Sequence, residues 1–127
     1  MEEYERGTCL SIWRTADARP TWTEAVGQVA SHKREQQEAQ LIARLSILAS
    51  RGVLRSPDHI RAEGQGIFAV KTNGGLRAYG WHSNIDGRRA FVISHVVLKK
   101  TDKLNPADLN RAVACREAVE AELRTRG

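Results

Sequence analysis

The chain has 127 residues, of which 41% are hydrophobic and 28% charged, with a formal net charge of +5 at pH 7. This length buries one core without metal or disulfide support, so a single domain over residues 1–127 is expected. No apolar run approaches the ~18 residues of a membrane helix, and the polar start at residues 1–6 precedes no secretory-type apolar segment. We therefore expect a cytoplasmic protein with no membrane role, and the positive charge favours a polyanionic partner.

The N-terminal region predicts a strand and a short helix. Residues 8–13 alternate loosely between polar and apolar side chains, as a strand does. The helix is expected to end at Val29 and to be capped by Thr21 or Thr23. Glu24 then falls in its first turn, where the helix dipole favours negative charge.

Residues 34–50 predict a longer helix. Apolar residues recur there at the i, i+3, i+4 spacing, and Gly52 supplies a C-terminal stop. The apolar stripe consists of Ala39, Leu41, Ile42, Leu45, Leu48 and Ala49.

The next part of the chain predicts a three-stranded antiparallel meander. Residues 66–71, 76–82 and 90–98 have strand character. The segments 72–75 and 84–87 contain Asn-Gly and Asp-Gly, the dipeptides that tolerate positive φ in hairpin turns.

A C-terminal helix is predicted to start at Asn105, with Pro106 in its first position and Asp108 in its third. Its apolar stripe consists of Leu109, Ala112, Cys115, Val119 and Leu123. The order β, α, α, β, β, β, α indicates an α+β fold. In this fold a small antiparallel sheet, made of the N-terminal strand and the meander, packs against two N-terminal helices and the C-terminal helix.

Alternation along residues 76–82 divides the sheet into two faces. A two- or four-residue turn at 86–87 pairs odd positions with even ones. One face then carries Arg77, Tyr79, Trp81, Val92, Ser94 and Val96, and the other carries Leu76, Ala78, Phe91, Ile93, His95 and Val97. The second face is more apolar and is expected to carry the helices, which leaves the first as an open platform for phosphate contact and base stacking. The alternative is that Tyr79 and Trp81 pack under the chain termini and that Arg77 pairs with an acid.

The position of Lys71 depends on the turn at 72–75. A two-residue turn at Asn73-Gly74 places Lys71 on the face opposite Arg77. A bulged three-residue turn that uses Gly74 or Gly75 places both cations on one face. The sequence permits either.

Histidines and cysteines form no metal-ligand or triad-like pattern. His95, between Ser94 and Val96, is either a catalytic residue or, by its apolar setting, a satisfied and partly buried histidine. Both cysteines are expected to be free thiols because CxxC spacing is absent. The other members of this set are His32, His59, His82, Cys9 and Cys115. No metal or other cofactor is expected.

Motifs in the second half of the chain resemble the RelE/ParE toxin superfamily, in particular its phage-derived HigB-like branch. They are residues 66–71, Leu76-Arg77-Ala-Tyr79, Val92 to Thr101 with His95 and Lys99-Lys100, and Asn105-Pro106. The likeness covers roughly Gly52 to Glu120. Two dipeptides depart from it. Val70-Lys71 replaces Leu-Arg, which loses the planar fork of arginine, and Val96-Val97 replaces Gly-Phe.

The resemblance implies the toxin of a type II toxin–antitoxin system. Such a protein pairs with a helix-turn-helix antitoxin, enters the ribosomal A site and cleaves mRNA without a metal. Arg77 and Lys71 would contact the phosphate and Tyr79 the nucleotide, and a lysine acting as the base would need a pKa lowered by neighbouring cations.

Further RNA contacts are expected at the ends of the strands. Lys99 and Lys100 follow a core strand and would engage ribosomal RNA or the reacting phosphate; alternatively they are a solvated strand end that resists aggregation. Trp81 and His82 are also expected to bind RNA, with Ser94 and His95 as further candidates.

Two other functions remain open. The ParE branch shares the scaffold but acts on DNA gyrase. A decayed toxin or phage accessory protein would bind a partner without catalysis, and Lys71 in place of arginine favours this reading.

Overall fold

The computed structural model describes residues 1–101, 103 and 105–126. The strands are β1 Glu2–Arg6, β2 Ser11–Arg14, β3 Ile60–Gly64, β4 Ile67–Lys71, β5 Leu76–Ile85 and β6 Arg88–Leu98. The helices are α1 Ala18–Gln28, α2 Arg34–Arg51 and α3 Pro106–Arg126, with a short 3₁₀ helix, Ser31–Lys33, before α2. The strands form one sheet in the order β1-β2-β6-β5-β4-β3.

The α+β class is confirmed, but the sheet is larger than expected and mixed. All neighbouring strands are antiparallel except β2 and β6, which run parallel. The sequence prediction missed β1 and β3, which are the two edge strands. Their sequences, EEYER and IRAEG, are rich in charge because edge strands avoid apolar surfaces that would pair with other chains. Apolar alternation is therefore a poor signal for them.

The helices largely follow their predicted caps. α2 ends as expected at Gly52, whose φ of 78° is left-handed and whose N–H donates to Leu48 O at 2.7 Å. α3 begins as expected, since Asn105 Oδ1 accepts from the N–H of Ala107 at 2.9 Å. α1 instead begins at Ala18, before the predicted threonine caps. Pro20 lies in its first turn, where a missing N–H costs nothing.

Helices cover both faces of the sheet. α1 and α2 pack on the face that carries Leu76, Ala78 and Ile93, and their buried residues include Trp22 and Leu45. α3 covers the opposite face with its predicted apolar stripe, and the sheet residues beneath it are Ile67, Ala69, Tyr79, Trp81, Ile85, Ala90 and Val92. The expectation that the face with Arg77, Tyr79 and Trp81 is open is therefore wrong. Within the described residues, none of the helices combines the length and apolar character needed to cross a membrane.

The central β5–β6 pair changes register at Ser94. Its turn is the two-residue Asp86-Gly87 form, because Ile85 pairs with Arg88, and odd positions pair with even ones as far as Gly80 and Ile93. The next pair is Tyr79 with His95, so Ser94 is an extra residue, a β-bulge. The predicted faces are correct for Phe91, Val92 and Ile93. They are wrong for His95 and Val97, which lie on the Tyr79 face, and for Val96, which lies with Ala78.

Residues outside the pair satisfy the polar groups that the bulge leaves unpaired. Thr15 Oγ1 donates to Ser94 O at 2.8 Å, and Thr21 Oγ1 accepts from the N–H of Val96 at 3.0 Å. Thr21 is therefore a partner of the sheet and not a helix cap. A buried N–H without a partner would cost about 1–3 kcal/mol.

We predict that Thr21→Val lowers the free energy of unfolding by about 1–3 kcal/mol, because valine has the same shape but cannot accept from the N–H of Val96. Urea denaturation measures this value. Thr21→Ser keeps the hydroxyl and is the control. Equal losses in both variants would contradict the assigned hydrogen bond.

Candidate functional site

A basic cleft of about 740 Å³ opens at one end of the sheet, where β4 ends, β5 begins and β6 ends. Among the described residues, its lining carries five Lys or Arg side chains and one carboxylate, Asp58. The cations are Arg44, Lys71, Arg77, Lys99 and Lys100. This concentration of positive charge in a concave site is what binding of a polyanion requires.

The β4–β5 turn places two of the cations side by side. Thr72 N donates to Leu76 O at 3.0 Å, which leaves a three-residue turn, and Lys71 pairs directly with Arg77. Directly paired residues share a face. The bulged-turn alternative for Lys71 is thus confirmed.

The bulge at Ser94 brings Lys99 to the same face. Val97 pairs with Arg77, so Lys99, two residues later, points to that side. Its Nζ lies 5.7 Å from the centre of the Tyr79 ring. Its backbone N–H donates to Gly75 O at 2.8 Å, which fixes the end of β6 against the turn.

Three side chains of α2 hold the turn in place. Gln37 Oε1 accepts from Gly74 N at 2.7 Å and Gln40 Oε1 accepts from Asn73 N at 2.6 Å. Arg44 is only 7% exposed and donates to Lys71 O at 2.5 Å and to Asn73 Oδ1 at 3.1 Å. Burial lowers the pKa of Arg44, an effect that Asp58 opposes.

Sequence reasoning missed Arg44, although a signal was present. The apolar stripe of α2 contains Leu41, Leu45 and Leu48, and position 44 lies on the same side of the helix. A cation at a buried position normally has a structural or functional partner. Two residues of the apolar stripe predicted for α2, Ala39 and Ile42, are exposed and do not join the core.

Sequence reasoning also set His59 aside as isolated, yet it lines the cleft. Its carbonyl accepts from Lys71 N at 2.8 Å, and its own N–H donates to Arg55 O at 2.8 Å. The pKa of its imidazole is lowered, first by partial burial and then by Arg44 and Arg55. It immediately precedes β3, one of the two edge strands that the sequence did not reveal.

Tyr79 and Trp81 lie beneath α3 and are each 1% exposed. Trp81 Nε1 donates to Glu120 Oε1 at 2.9 Å, and burial raises the pKa of Tyr79 well above its ordinary value. The prediction of an exposed stacking platform is therefore wrong, because the C-terminal helix occupies that surface. Both rings instead pack under the C-terminal helix, as the alternative prediction stated.

Ser94 and His95 belong to a buried network and not to the cleft lining. His95 is 0% exposed. Its Nδ1 lies 2.9 Å from Ser94 Oγ, its Nε2 lies 3.2 Å from Asp108 Oδ1, and its ring stacks on Tyr79 at 5.1 Å. This geometry agrees with the second interpretation of His95, a buried histidine whose ring nitrogens are hydrogen-bonded. It joins β6 to the first turn of α3.

The remaining residues predicted to bind RNA, Lys100 and His82, lie in different places. Lys100 is exposed at the mouth of the cleft. His82 is exposed on the opposite face from Arg77, between the edges of Phe68 and Phe91, and lies outside the cleft.

Family models and curated proteins provide no identification. No protein-family model matches the chain, and a comparison with curated proteins finds no significant relative.

Both cysteines are free thiols, and no group of three His, Cys, Asp or Glu residues in the described ranges is arranged to hold a metal ion.

We predict that Gly75→Ala disturbs the cleft far more than Gly87→Ala. Both glycines have positive φ, 99° and 76°, so alanine is strained at each by roughly 1–2 kcal/mol. Only at Gly75 does an added Cβ meet backbone, at 2.1 Å from Lys99 O. Urea denaturation should show the larger loss for Gly75→Ala, and the amide NMR signal of Lys99 should shift in that variant alone. Equal losses would show that the close approach is unimportant.

We predict that part of the loss of stability below pH 6.5 comes from His95. Burial lowers the pKa of His95 in the folded protein, and the hydrogen bond that its imidazole donates to Asp108 opposes this by raising it. A histidine with a lowered folded pKa gives full stability above its unfolded pKa of about 6.5 and loses it as pH falls towards the folded pKa.

Unfolding free energies at pH 7.5 and pH 5.5 test this. The wild type should lose up to about 1.4 kcal/mol more over this interval than His95→Gln does. His32→Gln, at an exposed position, should keep the wild-type difference. A His95→Gln variant with the full wild-type pH dependence would contradict the assignment.

Proposed function

We propose that the basic cleft binds the RNA backbone and cleaves it, and that the protein is the toxin of a type II toxin–antitoxin system acting on mRNA in the ribosome. The observation that carries the proposal is the convergence of Lys71, Arg77 and Lys99 on one face at the open end of the sheet. Phosphate groups are the ligands that such a cluster of cations stabilises best.

The cleft supplies what metal-free RNA cleavage needs. The 2′-oxygen attacks the adjacent phosphorus, and the phosphorane that forms carries additional negative charge. Arg77, at 5% exposure, lies where it would stabilise this charge with little competition from water, and the half-buried Lys71 is its direct neighbour across the hairpin. Lys99 and Lys100 at the mouth would hold flanking phosphates.

The sequence resemblance gives the proposal its biological setting. The HigB-like motif residues Lys71, Arg77 and Lys99-Lys100 are those that line the cleft. We therefore infer a RelE-like fold, a cytoplasmic protein, a helix-turn-helix antitoxin as partner, and the ribosome with its mRNA as target.

Controlled expression in a bacterium, followed by mapping of mRNA 5′ ends, tests this function. The wild type should arrest growth and create new ends at a fixed position within codons. Arg77→Gln should reduce these ends by about 10²-fold or more, because a donor to the transition-state charge is lost. Arg124→Gln removes an exposed cation in the last turn of α3, outside the cleft, and should behave like the wild type.

Other results would select another function. Arrest with DNA damage and intact mRNA would indicate a gyrase-directed toxin. No arrest and no new ends would indicate a binding module without catalytic activity. Circular dichroism of purified Arg77→Gln verifies that the variant is folded.

A further inference from the structure

We propose that His59 is the general base of the cleft and accepts the proton of the RNA 2′-hydroxyl. The inference rests on the proposed nuclease function. It gives a catalytic role to His59, a residue that lies outside the sequence motifs. It starts from the position of His59 beside the cations that would bind the phosphate.

The chemistry of the lining leaves few proton acceptors. Protonated lysine and arginine carry only donors, so they can hold the phosphate but cannot accept a proton. The one carboxylate of the described lining, Asp58, is already paired with Arg55 at 3.4 Å. An imidazole combines an available lone pair with a basicity suited to neutral pH. His59 is the one imidazole among the described lining residues.

The backbone holds His59 next to the proposed phosphate site. Lys71 N donates to His59 O at 2.8 Å, so the two residues are neighbours across the start of β3 and the end of β4. The N–H of His59 is itself bonded to Arg55 O. A base must lie within hydrogen-bond reach of the proton that it removes, and this pairing keeps the imidazole close to a phosphate held by Lys71.

The electrostatic setting keeps the imidazole neutral at pH 7. Partial burial, Arg44 and Arg55 lower its pKa, and Asp58 opposes them. The charged groups that act on the histidine are Arg44 from α2 and Arg55 and Asp58 from the preceding loop. Lys71 from β4 and Arg77 from β5 line the same cleft. A neutral histidine among cations is ready to accept a proton.

In the proposed cleavage, every proton and bond is accounted for. The imidazole nitrogen of His59 takes the 2′-hydroxyl proton as the 2′-oxygen forms a bond to phosphorus. The bond between phosphorus and the 5′-oxygen breaks, and the leaving oxygen takes a proton from solvent or from a neighbouring cation. The products are a 2′,3′-cyclic phosphate and a 5′-hydroxyl, and the proton on His59 returns to solvent.

The test uses purified protein and ribosomes programmed with a defined mRNA, with single-turnover cleavage measured from pH 5 to pH 8. His59→Gln should cleave about 10²–10⁴-fold more slowly and should lose the rise in rate with pH that deprotonation of His59 gives the wild type. His59→Ala should regain part of its rate when free imidazole is added. The affinity of His59→Gln for an mRNA with a 2′-deoxy residue at the cleavage site should differ less than threefold from that of the wild type.

His32→Gln is the matched control, since His32 is exposed on the 3₁₀ helix outside the cleft. Wild-type cleavage that persists in His59→Gln with an unchanged pH profile would overturn the role of His59 while leaving the nuclease function intact. Loss of mRNA binding in His59→Gln, without imidazole rescue of His59→Ala, would make His59 a structural residue. Absence of cleavage by the wild type itself would overturn both proposals.

Discussion

The extra residue at Ser94 in β6 sets the arrangement of both faces of the sheet. Because it shifts the β5–β6 register by one, His95 and Lys99 lie on the side of Tyr79 and Arg77. Without the shift, every side chain after Ile93 would point the other way. His95 would then miss the first turn of α3, and Lys99 would leave the face that carries the other cations. The buried core and the basic cleft therefore depend on the same irregularity.

A bulge of this kind is stable only if its unpaired backbone groups find partners. Thr15, after the parallel strand β2, and Thr21, in α1, provide them. The N-terminal third of the chain thus takes part in fixing the register of a hairpin more than seventy residues away. Gly80 assists from the partner strand, since a Cβ there would lie 2.3 Å from Val92 O.

Local patterns predicted the parts of this fold that depend on neighbouring residues. The bounds of α2, the cap at Asn105 and the Asp86-Gly87 turn follow from nearby side chains and backbone preferences. The bulge at Ser94 depends on distant threonines, so alternation along β6 could not reveal it. The burial of Tyr79 and Trp81 likewise depends on where α3 packs. Of the cleft, the strand cations were predictable, whereas Arg44 and His59 reach it only through tertiary packing.

The buried residues beneath the cleft have a direct effect on its electrostatics. Tyr79 stacks on His95 on one side of the strands, and Arg44 penetrates from α2 on the other. Arg44 and Arg77 are therefore surrounded mainly by protein, whereas Lys100 is exposed to solvent. In such surroundings charges interact more strongly than in solvent. Burying a cation costs free energy unless it is hydrogen-bonded, and Arg44 meets this requirement through its hydrogen bonds to Lys71 O and Asn73 Oδ1. A polyanion bound in the cleft, as we propose, would bring negative charge to a lining whose described residues carry five cations and one carboxylate.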